Sequence, residues 1–131
     1  MKAKLGFLVA VFGMLVPAVP ALAHHSFAAE YDAKQPVTLK GVVTKVEWTN
    51  PHARFYIDVK DATGKVTNWN LELASPNVLI RQGWTRHSLK VGDTITVDGS
   101  RAKDGAHLAN ARTVTLADGK RVFSRSQSDA K

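Results

Sequence analysis

Short segments in which apolar and polar residues alternate are the feature that most constrains the fold of this chain. The alternating apolar residues are Phe55, Ile57 and Val59 in one segment and Trp69, Leu71 and Leu73 in the next. Alternation with a period of two is typical of β-strands that bury one face. Two further strands are predicted over Thr94–Gly99 and Arg112–Leu116, so the chain is expected to be mostly β.

The first strand is longer, from Val37 to Thr49, and its apolar phase changes at Gly41. The apolar positions are Val37 and Leu39 before this glycine, and Val42, Val46 and Trp48 after it. A phase change at a glycine is typical of a β-bulge in a long, curved strand. The sequence therefore predicts a bulge at Gly41.

Capping residues mark one short helix and one hairpin. Ser75 is a suitable N-cap, Pro76 suits the first helical position, and Gly83 suits the C-terminal cap. Asp118-Gly119 is a hairpin turn signal that leads into the segment Arg121–Phe123. The predicted order is three strands, a helix, two strands and a final hairpin arm.

This order predicts an all-β fold with one short helix, namely a small five-stranded Greek-key barrel of the OB type. The barrel is expected over residues 37–124, after an N-terminal arm over 24–36 and before a disordered tail over 125–131. The composition is 44% hydrophobic and 22% charged, which is ordinary for a globular domain.

The N-terminal residues have the pattern of a secretory signal peptide. Lys2 and Lys4 precede an apolar run from Leu5 to Val16, and Ala21-Leu22-Ala23 supplies small residues at the cleavage site. We expect cleavage of residues 1–23, which would leave a periplasmic or secreted protein that does not span the membrane. The chain has no cysteine, so it has no disulfide framework and no thiolate metal site.

The charge balance limits the choice of partners. The whole chain carries +7 with neutral histidines, and loss of Lys2 and Lys4 would lower this to +5. The basic residues are scattered and form no run of five or more, and export would separate the protein from the usual nucleic acids. Nucleic acid is therefore excluded as an expected partner. A metal ion, a small anionic or glycan ligand of the envelope, or a partner protein stays open.

Several short motifs resemble those of a small exported bacterial family. They are HHSFAAEYD at 24–32, WTNPH at 48–52, Trp69 with Glu72, GWTR at 83–86 and VGD at 91–93. In this order they resemble the proteins classed as domain of unknown function 6152. The resemblance implies an exported β-domain with no assigned activity, and no catalytic residues come with it. More distantly, the strand order is similar to that of periplasmic OB-fold proteins.

The histidines suggest a copper site. If cleavage leaves His24 at the mature N-terminus, its amine and imidazole can chelate one copper ion, as in histidine-brace proteins, and His25 or His52 would add a third nitrogen. Nitrogen donors of this kind suit Cu(II). Glu30, Asp32 and Glu47 are available to orient an imidazole. The alternative is a solvated His-His terminus and a His52 that only completes a turn.

The tryptophans suggest a second kind of site. Their phases favour core positions for Trp48 and Trp69. Trp84 follows the helix-ending glycine, and the prediction is that Trp84 and Arg86 meet Asn50 and His52 at one mouth of the barrel to form a small polar pocket. A glycan, an anionic ligand or a partner protein could bind there.

An enzymatic role is not expected, because the chain has none of the common catalytic or phosphate-binding motifs. Glu72 alternates with apolar neighbours and is expected to be solvated. His87 and His107 are expected on the surface. The leading hypothesis is a copper-binding module that uses His24 with His25 or His52. The alternative is a metal-free binding module whose ligand residues are Asn50, Trp84 and Arg86.

Overall fold

Six β-strands and two short helical segments make up residues 27–123, the part of the chain that the computed structural model describes. Residues 27–30 are helical and lead directly into the first strand. The strands are β1 (Tyr31–Glu47), β2 (Arg54–Lys60), β3 (Val66–Glu72), β4 (Thr94–Ala102), β5 (Leu108–Leu116) and β6 (Arg121–Phe123), and the helix Pro76–Arg81 lies between β3 and β4. The predicted signal peptide, residues 1–23, and the predicted tail, residues 125–131, lie outside the described residues.

The six strands form one sheet that closes on itself. Their order is β3-β2-β1-β4-β5-β6, and β3 also pairs with β5. The β3–β5 pairing is parallel, whereas the other pairings are antiparallel. A closed, bulged barrel with a helix between the third and fourth strands is the predicted OB-type fold, and this prediction is confirmed.

The first strand differs from its prediction at both its start and its bulge. It begins at Tyr31, so the expected boundary between arm and barrel at Val37 falls inside β1. The register with β2 shifts between Val43 and Lys45, two residues after Gly41, and Val42 is 42% exposed. Gly41 instead lies where two strands approach closely, because a Cβ there would be 2.4 Å from the Asp58 carbonyl oxygen.

The local signals for the helix are confirmed. The Ser75 hydroxyl accepts a hydrogen bond from the Val78 N–H, and Pro76 occupies the first turn. Gly83 follows the C-cap with a φ of 89°, a left-handed conformation that glycine adopts without a steric cost. The helix is therefore placed by its own sequence.

The second half of the barrel is more extensive than predicted. β4 continues to Ala102 and β5 begins at Leu108, four residues before its predicted start. Ala109 and Ala111 are fully buried, and Ala111 pairs with Gly99 on β4. Small residues let these neighbouring strands approach closely, but they carry no strong strand signal in the sequence.

The core fills the inside of the barrel. Its largest fully buried side chains that belong to the main cluster are Phe55, Ile57, Leu71, Leu79, Ile95, Val43, Val97 and Val114. Trp69 and Trp84 are buried in the same cluster, and Trp48 packs against it half-buried. Within residues 27–123 no helix has the length and apolarity needed to cross a membrane.

Gly99→Ala should destabilise the protein strongly. The added Cβ would lie 2.2 Å from the Asn110 carbonyl oxygen, so the β4 and β5 backbones would have to separate. We expect the free energy of unfolding to fall by an amount near the upper end of about 1–3 kcal/mol, measured by urea titration of tryptophan fluorescence. The control Ala106→Ser adds one atom at an exposed position and should change the free energy of unfolding by less than about 0.5 kcal/mol. Equal effects of the two substitutions would contradict this account of Gly99.

Candidate functional site

Three polar side chains are buried side by side on one face of the barrel wall. Glu72, Asn110 and Ser100 are each at most 5% exposed and lie on β3, β5 and β4. Glu72 is the register partner of Asn110, and Asn110 is the partner of Ser100. Their neighbours Leu71 and Ala109 belong to the core. Because side chains alternate along a strand, the three polar residues lie on the face that points away from the core.

The start of β1 covers this polar layer. Tyr31 pairs with Ala102 on β4 and is only 2% exposed, although it is not part of the main core cluster. Its hydroxyl donates a hydrogen bond of 3.0 Å to Glu72 Oε2. The Phe27 ring lies against the Tyr31 ring, with 5.5 Å between the centroids. The segment that leads from the N-terminus into the barrel therefore contacts the Glu72 carboxylate.

Glu72 also binds two cationic or ionisable side chains. Arg54 Nη2 lies 2.5 Å from Glu72 Oε2, and the same guanidinium donates to Asn70 Oδ1 over 3.3 Å. His52 Nδ1 lies 3.4 Å from Glu72 Oε1, and the His52 side chain is 17% exposed. The buried carboxylate of Glu72 thus links the start of β1, the β1–β2 loop and β2.

The expectation that Glu72 is solvated is wrong. Its phase in β3 is as predicted, because it does point away from the core. That side of the barrel wall is covered by Tyr31, which the sequence pattern does not reveal. Two features of the sequence point to this burial. Glu72 belongs to a motif with Trp69, and it lies opposite Arg54 when β2 and β3 are paired in register.

The surroundings of Tyr31 change its acidity. Burial raises the pKa of its phenol well above the ordinary value, and the negative charge of Glu72 together with their hydrogen bond raises it further. Tyr31 therefore stays protonated as a hydrogen-bond donor to the carboxylate at any pH near neutrality.

The structure describes one of the three predicted copper ligands, His52. His24 and His25 lie outside the described residues. Among residues 27–123 no group of three or more His, Cys, Asp or Glu side chains could hold a metal ion. The carboxylate beside His52 is Glu72, which was not among the three expected for that role, Glu30, Asp32 and Glu47.

The predicted ligand residues at the barrel mouth lie in different environments. Trp84 is 3% exposed and belongs to the core, whereas Arg86 and Asn50 are exposed. The Asn50–Pro51 peptide bond is cis. A crevice of about 10 Å³, mostly apolar, is lined by Trp48, Trp84, Arg54 and Arg86. It is large enough for one water molecule.

The remaining histidines lie where they were expected. His87 and His107 are both exposed. The His107 ring meets the edge of Trp69 at 5.1 Å between centroids, and Arg101 lies over the same indole at 5.4 Å. These contacts lie beside the loop between β4 and β5.

The chain belongs to the family of unknown function DUF6152, whose model matches residues 12–111. A search of the curated proteins found no match. Among solved structures, the chain is similar to the mitochondrial single-stranded DNA-binding protein Rim1 of S. cerevisiae. One crystal form shares 8% identity at a TM-score of 0.50, with 70% of this chain and 96% of that chain covered. The other shares 11% identity at a TM-score of 0.47, with 71% and 97% covered.

The first of these likenesses shows a shared OB fold. It also corrects one prediction, namely that nucleic acid is not a partner. That exclusion rested on scattered charge and on the expected export, and it is wrong as a general exclusion because a protein of this same fold binds single-stranded DNA. At 8% identity the likeness concerns the fold alone.

The alkaline titration of Tyr31 tests its burial against Glu72. A phenol whose pKa is raised in the folded state leaves stability unchanged below the ordinary value of about 10, and stability falls as the pH rises above it. In a Tyr56→Phe variant Tyr31 is the single tyrosine, so absorbance near 295 nm reports it alone. We expect phenolate to appear in the folded protein only as it unfolds, at a higher pH than in urea. A normal titration of the folded variant would contradict this arrangement.

Proposed function

We propose that this protein is an exported binding module that holds a copper ion between its mature N-terminus and His52. His24 would supply its amine and imidazole after cleavage of residues 1–23, and His25 or His52 would complete the nitrogen ligands. The role would be that of a copper carrier or buffer and not of an enzyme.

The observation that supports this proposal is the shared carboxylate of Glu72. Its two oxygens contact His52 and Tyr31, so the β1–β2 loop and the N-terminal segment meet at one point. Phe27 packs against Tyr31, and His24 is three residues before Phe27. Three residues span roughly 10 Å when extended, and this is the reach from Phe27 that the proposal assigns to His24.

The His52–Glu72 pair also has the form of a supported metal ligand. Histidines that bind metals usually present one ring nitrogen to a carboxylate or carbonyl, which orients the ring and increases its basicity. Nδ1 faces Glu72, so Nε2 would be the coordinating nitrogen. A site built from an amine and imidazoles favours Cu(II) over the other common divalent ions.

Copper binding should depend on the exact N-terminus of the mature chain. The experiment uses protein purified from the periplasm, checks by intact mass that it begins at His24, and titrates Cu(II) against a competing chelator. In a chain that also carries His25→Ala, both His24→Ala and one residue added before His24 should abolish tight binding, because each change removes the amine–imidazole chelate and leaves no second histidine near the N-terminus to replace it. His52→Ala and Glu72→Gln should each weaken binding about 10–100-fold. The matched control is His87→Ala, which removes an exposed histidine of another loop.

Retained affinity in both N-terminal variants would contradict the proposal. So would a mature mass that begins elsewhere, or an equal loss in His87→Ala. Circular dichroism of each apo variant shows whether a lost site reflects a lost fold.

A second candidate function is metal-free binding of a small anionic ligand at the mouth of the barrel. The observation that favours it is that Arg54 and Arg86 line one crevice together with two tryptophans. Arg54 is already paired with Glu72, so Arg86 would carry the recognition, with Asn50 on the neighbouring loop. The crevice itself holds no more than a water molecule, so such a ligand would lie across its opening.

Arg86→Ala separates the two candidates. It should weaken binding of an anionic ligand several-fold and leave copper affinity unchanged, whereas His24→Ala should have the opposite effect. Binding is measured by calorimetry with inorganic phosphate and a glucuronate monomer, and a single-stranded oligonucleotide is included because of the fold. Trp84→Ala is unsuitable as a probe, because loss of a buried indole costs about 3–5 kcal/mol of stability. Equal affinity of Arg86→Ala and the parent for every probe would remove this candidate.

A further inference from the structure

A second, much larger cavity lies on another side of the barrel. It has a volume of about 460 Å³ and lies between the loop Thr85–Asp93 and the turn between β5 and β6. A neighbouring cavity of about 190 Å³ shares Thr94, Leu116 and Ala117 with it and extends to Lys40 on β1. The two cavities are adjacent, and we call them together the trough; the volume of the larger one is in the range of ligand-binding clefts.

The wall of this trough is held firmly by hydrogen bonds. Gly92 N–H donates to the Val43 carbonyl at 2.8 Å, and Val43 N–H donates to the Asp93 carbonyl at 2.9 Å, so the loop is paired with β1. Within the loop, Lys90 N–H donates to Asp93 Oδ2 and Thr85 N–H donates to Ser88 Oγ, each at 2.9 Å. A wall fixed in this way does not need to be ordered by a ligand.

The charged side chains of the trough are mostly lysines. Lys40, Lys90 and Lys120 line it, and within the described part of the chain none of them makes an ion pair. Asp93 and Asp118 also line it, but each carboxylate accepts a backbone N–H of its own turn, at 2.9 and 2.8 Å. Three lysines and two aspartates give the lining a net charge of +1, and backbone donors of their own turns already engage both aspartates.

Hydroxyl groups complete the lining. Ser88, Thr94, Thr96 and Thr115 contribute side-chain hydroxyls, and Leu116 contributes apolar surface between them. The described residues that line the trough include no Trp, Tyr or Phe. Proteins that bind single-stranded nucleic acid stack bases on aromatic rings, so this lining does not suit that ligand.

We propose that the trough binds a linear acidic polysaccharide. The lysines would contact its carboxylate groups, and the threonine and serine hydroxyls would bond to the sugar hydroxyls. This site is independent of the copper site proposed above, because it shares none of its residues.

Calorimetry with a hexamer of a uronic acid tests this proposal on the mature protein. The variant Lys40→Gln/Lys90→Gln/Lys120→Gln should weaken binding about tenfold, since each exposed charge pair contributes a few-fold. The control Lys34→Gln/Lys60→Gln/Lys65→Gln removes the same charge from exposed positions outside the trough and should change affinity less than about twofold. The methyl-esterified hexamer, which has no charge, should bind at least tenfold more weakly.

Amide NMR shifts caused by the charged hexamer should centre on Thr94, Thr96 and Thr115. Equal losses in the two triple variants would show attraction by net charge alone and would overturn the proposal. The same holds if the neutral hexamer binds equally well, or if neither hexamer binds at millimolar concentration. Tighter binding of a single-stranded oligonucleotide that depends on the three trough lysines would replace the polysaccharide with nucleic acid and equally overturn it.

Discussion

The buried carboxylate of Glu72 determines how the N-terminal segment, the β1–β2 loop and β2 are arranged around one end of the barrel. A carboxylate taken out of water is costly unless charged or hydrogen-bonding groups surround it. Tyr31, His52 and Arg54 meet this need from three separate elements. Loss of the carboxylate would therefore disturb three positions that lie 18 to 41 residues before it along the chain.

The parts of the fold that depend on local sequence were predictable. The helix between Ser75 and Gly83 follows from its caps, and β2 follows from strict alternation between Arg54 and Lys60. The early start of β1 at Tyr31 and the start of β5 at Leu108 depend on pairing with distant strands. Those segments contain small or polar residues whose strand conformation is stabilised by tertiary contacts, so no local sequence pattern predicts where these strands begin.

The candidate site was predictable in part for the same reason. His52 stands out by residue type, because few side chains bind metals as readily as imidazole. Glu72 could not be identified as its partner from phase alone, since phase shows which way a side chain points and not what covers it. Trp84 was expected at the barrel mouth and lies in the core, where its size fills the barrel end. The contribution of Asn110 and Ser100 to a buried polar layer has no signal in the sequence.

The loop Thr85–Asp93 separates two cavities. Thr85, Arg86 and Leu89 face the crevice beside Arg54, and His87, Ser88 and Lys90 face the trough on the other side. Backbone hydrogen bonds tie Gly92 and Asp93 to Val43, so the loop is a fixed partition between the two cavities. One short segment of backbone therefore sets the shape of both cavities, and a change in the length of this loop would alter both at once.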